Sequence, residues 1–232
     1  MFDYKDTSKE HLDAHIDHLI DIMDEIEPNK VTVLTGGNAL GKSLIRKQLV
    51  FTLDRKLTDL GIEHDKKHII ASTSMQLRTE NRPEFGALSS AMHDLPWCST
   101  SESSLHCLNQ LLREDRDEKR FYVIDELEIG MSREAQVGVT QFINEKMKSF
   151  MDKTWGVLII THSADVVRNI KHDKFINIEG LTEEQWLNRE IEPLDPEVLS
   201  TWATELFCAI RDREKEAREK PERKRIEKIN KY

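Results

Sequence analysis

The residues best suited to chemistry form a glycine-rich loop, residues 36–43, between an apolar segment and a helical one. The loop matches the pattern G-x-x-x-x-G-K-[ST] at every fixed position. Main-chain N–H groups in such a turn bind phosphate oxygens, the lysine contacts the β- and γ-phosphates, and the serine ligates Mg²⁺. The alternative is a chance glycine-rich turn at the start of a helix. The predicted nucleotide-binding residues are Gly36, Gly37, Asn38, Ala39, Leu40, Gly41, Lys42 and Ser43.

Two acidic residues, Asp125 and Glu126, end a second apolar segment that begins at Phe121. Ligands of parallel-sheet proteins bind at the carboxyl ends of the strands, so this position favours a functional role. Asp125 is predicted to support Mg²⁺, and Glu126 to orient or deprotonate an attacking water. The alternative is an ordinary acidic exit from a strand.

A histidine follows a third apolar segment, residues 157–161. His162 is predicted to hydrogen-bond a γ-phosphate and to respond to its loss. The alternative is a polar residue that is simply satisfied at the end of a strand.

Apolar strands alternate with helical segments along the chain, which predicts an α/β fold with a mostly parallel sheet covered by helices on both faces. An N-terminal helix over 7–27 starts at a capping box formed by Thr7 and Glu10. A long loop is predicted over 76–97, and one ATPase domain over 1–210 precedes a charged helical tail over 211–232. The predicted strands are 31–35, 68–73, 121–125, 156–161 and 175–178. The other predicted helices are 42–57, one capped by Thr100 or Ser101 that runs to about 113, 132–150, 163–170 and 195–219, the last broken at Pro221.

The combination resembles the ABC-type ATPases, in the broad sense that includes SMC-like and other non-transporter members. Residues 37–43 resemble their GxNGxGKS form, residues 125–132 their DEPExGLS pattern, and residues 160–163 their switch-histidine motif. Ala39 replaces a glycine and Leu127 replaces a proline. The resemblance implies ATP and Mg²⁺ as ligands, Lys42, Glu126 and His162 as catalytic residues, and Ser43, Gln76 and Asp125 as the groups around the metal.

The family also carries an LSGGQ-like segment that caps ATP bound to a second subunit. The candidate here is Ser99, Thr100, Ser101 and Glu102, with Ser101 in place of a glycine. The resemblance therefore implies an ATP-dependent homodimer or higher assembly. The alternative is a serine-rich loop that only caps a helix.

Two departures from the family indicate a compact, stand-alone ATPase like the short bacterial or phage-encoded members. A helix stands where an antiparallel sheet with an adenine-stacking aromatic is usual, which leaves Phe2 and Tyr4 as the candidates for that stacking. Only 22 residues separate Gln76 from Ser99, too few for a coiled-coil arm.

Composition predicts a cytoplasmic protein without a membrane partner. The 232 residues carry a net charge of −9 and only three cysteines, and no apolar run approaches the length of a membrane span. Residues 211–232 are locally basic, so the segment 223–225 is either a nucleic-acid contact or part of a solvated helix. His11, His15 and His18 could bind a metal or form the polar flank of the first helix.

The sequence thus predicts an ATP-driven dimerising switch in a complex for nucleic-acid repair, replication or defence, with a possible protein partner. One alternative is a nucleotide or small-molecule kinase that uses Arg78 and Arg82 over the phosphates. Another is a module that binds ATP with little turnover.

Overall fold

The computed structural model describes residues 3–64, 69–73, 105, 108–109, 111–112, 119–126, 128–190 and 195–229. They form an α/β fold around one five-stranded sheet in which every pair of neighbouring strands is parallel. The strands are β1 (Val31–Thr35), β2 (Ile70–Thr73), β3 (Arg120–Asp125), β4 (Thr154–Ile160) and β5 (Lys174–Asn177). The helices described from end to end are α1 (Lys9–Glu25), α2 (Lys42–Asp59), α3 (Arg133–Phe150), α4 (Ala164–Asn169), α5 (Glu183–Leu187) and α6 (Pro196–Ile229), and a 3₁₀ turn covers Met151–Lys153.

The strand order is β2-β3-β4-β1-β5, so β4 lies between β1 and β3. Leu34 of β1 and Asp125 of β3 both pair with Ile160 of β4. The carboxyl ends of these three strands therefore meet at one edge of the sheet, which is where parallel sheets place their ligands. The predicted parallel sheet is confirmed. The order of its strands is known only from the structure, because local sequence patterns do not encode it.

Helices cover both faces of the sheet, because alternate residues of each buried strand point to opposite sides. Helices α1, α2 and α6 form one core cluster with Leu34, Phe121 and Leu158. Helices α3, α4 and α5 form the other with Val33 and Ile159. Continuous apolar strands are typical of a sheet covered on both sides.

The N-terminal helix is confirmed with slightly different limits. It begins after Ser8, whose hydroxyl accepts the N–H of His11 at 3.4 Å. The predicted capping box of Thr7 and Glu10 is therefore wrong, because the cap is Ser8 and the third helical residue is a histidine rather than Glu or Gln. The helix packs against α2 and α6, and its predicted core residues are buried. These are Leu12, Ile16, Leu19 and Met23.

The predicted break at Pro221 is wrong, because α6 continues from Pro196 to Ile229. Proline within a helix removes one main-chain hydrogen bond and favours a kink, which a helix can accommodate without ending. The helix therefore continues across residue 210, the predicted boundary between the ATPase domain and the charged tail.

No helix among the described residues is both long enough and apolar enough to cross a membrane.

Candidate active site

The glycine-rich loop joins the buried strand β1 to α2 and closes around Lys42. The Lys42 Nζ atom donates to the carbonyl oxygens of Gly36 at 3.2 Å and Gly37 at 2.7 Å. The lysine is only 6% exposed. Its ammonium group is therefore held inside the loop, where it faces any anion bound there.

The loop backbone takes conformations that favour glycine. Gly41 has a φ of +96°, and a Cβ atom there would lie 2.5 Å from Cδ1 of Leu19. Ala39, which replaces the glycine of the family pattern, has a φ of +60°. A left-handed backbone costs a residue with a Cβ atom about 1–2 kcal/mol. Stretches that alternate between right- and left-handed residues direct successive N–H groups into an anion-binding concavity.

The environment of Lys42 is buried and acidic. Burial lowers the pKa of Lys42 to about 8, and four surrounding carboxylates act in the opposite direction. An anion seated in the loop would favour the charged lysine in the same way as these carboxylates. The carboxylates are those of Glu126, Asp125, Glu179 and Glu128.

Asp125 ends β3 and pairs with Arg46 of α2. Oδ2 of Asp125 lies 3.5 Å from Nε of Arg46, and both side chains are 11% exposed. Burial raises the pKa of Asp125 to about 6, against the opposing effect of Arg46. Arg46 follows Lys42 by four residues, so the helical repeat places both cations on the same face of α2. Sequence reasoning missed Arg46, although this spacing was a usable signal.

Glu126 and His162 form a pair at the same edge of the sheet. Oε1 of Glu126 lies 3.2 Å from Nε2 of His162, and each side chain is 32% exposed. The hydrogen bond from His162 holds the pKa of Glu126 below its ordinary value. Glu126 has a φ of +51°, and its N–H donates to the carbonyl oxygen of Ile160 at 2.9 Å. Backbone strain of this kind costs about 1–3 kcal/mol and clusters at functional sites.

A second acid, Glu128, fixes the exit of β4. Its Oε1 accepts hydrogen bonds from the hydroxyl of Thr161 at 2.7 Å and from the N–H of His162 at 2.8 Å. Ser163 caps α4 and donates its hydroxyl to Gln136 of α3 at 2.5 Å. The main chain around His162 is therefore held from two sides. The motif contains Glu128, but sequence reasoning gave it no role.

Glu179 reaches the glycine-rich loop from the turn after β5. Its Oε2 accepts the N–H of Gly37 at 3.1 Å, and its own N–H donates to Asn177 at 3.0 Å. Sequence reasoning missed this residue too. The available signal was its position after a strand, at the sheet edge that also carries Asp125 and His162.

The structure places Lys42, Asp125, Glu126 and His162 close together at the carboxyl edge of the sheet. Ser43 lies in the first turn of α2, next to Lys42, with an exposed side chain. Five predicted ligands, the metal-touching Gln76 and the segment Ser99, Thr100, Ser101 and Glu102, lie outside the described residues. Phe2, Arg78 and Arg82 also lie outside them.

Of the histidines of α1, His15 differs from both predictions, whereas His18 is exposed, as the predicted polar flank requires. No three His, Cys, Asp or Glu side chains in the described part of the chain are grouped to hold a metal ion. His15 is not a solvated flank either, because it is only 4% exposed and its Nε2 lies 3.1 Å from the carbonyl oxygen of Leu40. Tyr4, proposed for stacking, is 7% exposed and packs edge-on against Trp202.

Comparisons of the chain with protein-family models and with curated proteins find no match. Any function assigned to this site therefore rests on its residues and their geometry.

Proposed function

We propose that the protein is a Mg²⁺-dependent ATPase of the ABC type, which binds ATP in the glycine-rich loop and hydrolyses it. The observation that carries the proposal is the Glu126–His162 pair, 3.2 Å apart, at the sheet edge that also holds Lys42 and Asp125. A phosphate-binding loop alone fits many nucleotide-binding proteins. A carboxylate next to a histidine at that edge adds a group that can accept a proton from, or orient, the attacking water, which hydrolysis requires.

The residues divide the work by chemistry. Lys42 and the loop N–H groups hold the β- and γ-phosphates by charge-assisted hydrogen bonds. Glu126 is ionised at neutral pH, since its pKa is lowered, and it accepts a proton from or orients the attacking water. His162 is within hydrogen-bond distance of Glu126 and aligns that carboxylate. Catalysis is mainly positioning and charge stabilisation, as in other phosphoryl transfers.

The site fits a magnesium–nucleotide complex. Carboxylates around Lys42 outnumber the cationic groups Lys42 and Arg46, so a bare triphosphate would meet repulsion. Ser43 and Asp125 would hold Mg²⁺, which neutralises charge on the β- and γ-phosphates. Mg²⁺ usually takes one or two carboxylates together with phosphates and water, and needs no all-protein cluster.

The wider proposal is an ATP-driven dimer. ATP binding would join two subunits and hydrolysis would release them, in a complex for nucleic-acid repair, replication or defence. These features come from the resemblance of residues 37–43, 125–132 and 160–163 to the family.

Steady-state ATPase measurements with Mg²⁺ on the parent and on Glu126→Gln test the proposal. The variant keeps the shape of the side chain but removes its basicity, so we expect turnover to fall about 10²–10⁴-fold with ATP binding retained. Glu145→Gln is the matched control, because Glu145 is an exposed acid on α3 paired with Lys148. It should leave the rate unchanged.

Light scattering with ATP, with ADP and without nucleotide tests the dimer. We expect Glu126→Gln to accumulate an ATP-bound dimer. An ATP-binding module with little turnover would hydrolyse slowly already and change little with Glu126→Gln. A kinase would need an acceptor, so steady release of inorganic phosphate without one contradicts that alternative.

A further inference from the structure

Helix α1 contacts the glycine-rich loop directly through His15. Nε2 of His15 lies 3.1 Å from the carbonyl oxygen of Leu40, in the middle of the loop. A carbonyl oxygen only accepts, so Nε2 carries the proton and donates. A residue 25 positions earlier in the chain thus holds a loop peptide by its carbonyl.

The carbonyl of Leu40 and the N–H of Gly41 belong to the same peptide group. A trans peptide is planar, and its C=O and N–H point in opposite directions. A donor on the α1 side of the Leu40 carbonyl therefore turns the Gly41 N–H away from α1. Gly41 is the last residue before α2, and N–H groups at a helix start are those that bind phosphate.

The packing around His15 leaves its ring little freedom. The ring is edge-on to Trp202 of α6, with centroids 5.5 Å apart at an angle of 68°. Both residues are buried, with Trp202 at 0% exposure. One helical turn further along α1, Leu19 lies against Gly41. A rigid donor beside a buried loop fixes the orientation of the peptide more firmly than a mobile one.

His18, on the same helix, makes a parallel contact. Its Nε2 lies 2.8 Å from the carbonyl oxygen of Ile178, which immediately precedes Glu179. Glu179 in turn accepts the N–H of Gly37 in the loop. Helix α1 therefore supports the loop at its centre through His15 and supports the turn that holds its beginning through His18.

We propose that His15 is a positioning residue for nucleotide binding, which acts by fixing the Leu40–Gly41 peptide so that its N–H faces the phosphates. This proposal rests on the proposed function, because it assumes that the anion is the triphosphate of ATP. His15 itself touches no nucleotide.

Three variants of the full-length chain test the proposal. His15→Phe keeps an aromatic ring but removes the donor. His15→Gln restores a donor, because its amide nitrogen reaches about as far as Nε2. Ile22→Ala is the control for general destabilisation, because Ile22 is a buried residue of α1 outside the glycine-rich loop. If the Phe variant does not fold, His15→Leu replaces it.

Two measurements are made on each variant. The first is the dissociation constant of Mg²⁺–ATP, and the second is amide hydrogen exchange over residues 36–43 without nucleotide. Loss of one hydrogen bond predicts binding about three- to tenfold weaker for His15→Phe, together with faster exchange in the loop. His15→Gln should return both quantities to within about twofold of the parent. Ile22→Ala should lower the unfolding midpoint and leave the dissociation constant unchanged.

The two proposals fail in different ways. If the parent binds ATP and His15→Phe binds it equally tightly with unchanged exchange, the positioning role is wrong and the proposed function stands. The positioning role is also wrong if His15→Gln is as weak as His15→Phe, or if Ile22→Ala weakens binding as much. If the parent binds no Mg²⁺–ATP, both proposals are wrong.

Discussion

Glu128 accepts a hydrogen bond from the backbone N–H of His162 at 2.8 Å. This bond joins the acidic segment that follows β3 to the residues that follow β4. The same oxygen accepts the hydroxyl of Thr161 at 2.7 Å. His162 is thus held twice, by Glu128 at its main chain and by Glu126 at its ring. Two acids of one short motif therefore position a single histidine.

The first prediction concerns Glu128→Ala, which leaves the Thr161 hydroxyl and the His162 N–H without this acceptor. Removing a partner from buried polar groups costs about 1–3 kcal/mol, so the histidine should lose its fixed position. We expect kcat for ATP hydrolysis to fall about tenfold, equivalent to about 1.4 kcal/mol, with KM changed less than about twofold. Steady-state kinetics checks this. Glu128→Gln keeps an acceptor oxygen, so its kcat should lie between those of the parent and of Glu128→Ala. A rise in KM with kcat unchanged would contradict the prediction.

The second prediction concerns the contact between Gly37 and Tyr4. A Cβ atom at Gly37 would lie 2.1 Å from the Tyr4 hydroxyl oxygen. Gly37→Ala should therefore destabilise the protein by about 1–3 kcal/mol, as overpacking does. Tyr4→Phe removes the clashing oxygen, so in the double variant part of the loss should be recovered. Urea unfolding of the parent, the two single variants and the double variant gives the coupling free energy between Gly37 and Tyr4, which we expect at about 1 kcal/mol.

Gly138→Ala is the control for this cycle. Gly138 lies within α3, and an added Cβ atom there meets nothing within 4 Å. Alanine stabilises a helix interior relative to glycine by about 0.5–1 kcal/mol, so this variant should be slightly more stable than the parent. Equal destabilisation by Gly37→Ala and Gly138→Ala would show that the Tyr4 contact is not the cause.

The third prediction concerns Lys42→Met, which keeps the apolar stem of the side chain but removes the ammonium group. Charge-assisted hydrogen bonds contribute about 1.5–3 kcal/mol, so ATP should bind about 10- to 100-fold more weakly. Nucleotide-free protein should lose no stability at pH 7, because burial already disfavours the charged lysine and lowers its pKa to about 8. Calorimetric titration and urea unfolding measure the two effects.

Lys30→Met is the matched control for the third prediction. Lys30 directly precedes β1 and pairs on the surface with Glu27 at 2.9 Å. It should bind ATP as the parent does. Equal weakening in both lysine variants would mean that general charge, rather than the position of Lys42, sets the affinity.

The elements of the fold follow from local sequence, and their arrangement does not. Strand β1 is an apolar, β-branched segment between a turn and a glycine, so its limits were predictable to the residue. The order of the strands depends on which neighbours pack best, and no local period encodes it. At Pro221 the local prediction was wrong, since proline disfavours helix and yet this residue lies inside α6.

The candidate site divides in the same way. Motif spacing indicated Lys42, Asp125 and Glu126, because their chemistry depends on neighbours in the chain. The supporting contacts join distant segments: His15 and Leu40 are 25 positions apart in the chain, and Gly37 and Glu179 are 142 positions apart. Such pairs become visible only when the sheet order is known. A lone histidine in an amphipathic helix carries no sign of its partner.

The fourth prediction concerns the pH dependence of stability through His15. Burial lowers the pKa of His15, and the neighbouring His18 and His11 act in the same direction, against the hydrogen bond to Leu40. Those histidines face it from its own helix, α6 contributes the uncharged Trp202, and the loop contributes a carbonyl. Since the folded-state pKa is depressed, the unfolded chain binds more protons as pH falls below about 6.5.

His15 therefore contributes stability that is fully present above that pH and is lost on acidification. The parent should lose more of its free energy of unfolding between pH 7.5 and pH 5.5 than His15→Gln, which cannot take up the proton. Urea unfolding of both proteins at the two pH values measures the difference. His64→Gln serves as the comparison, since it removes a histidine that lies outside α1, with its Nε2 3.1 Å from Oδ1 of Asp54. If His15→Gln loses as much free energy of unfolding between the two pH values as the parent does, the group that takes up the proton is not His15.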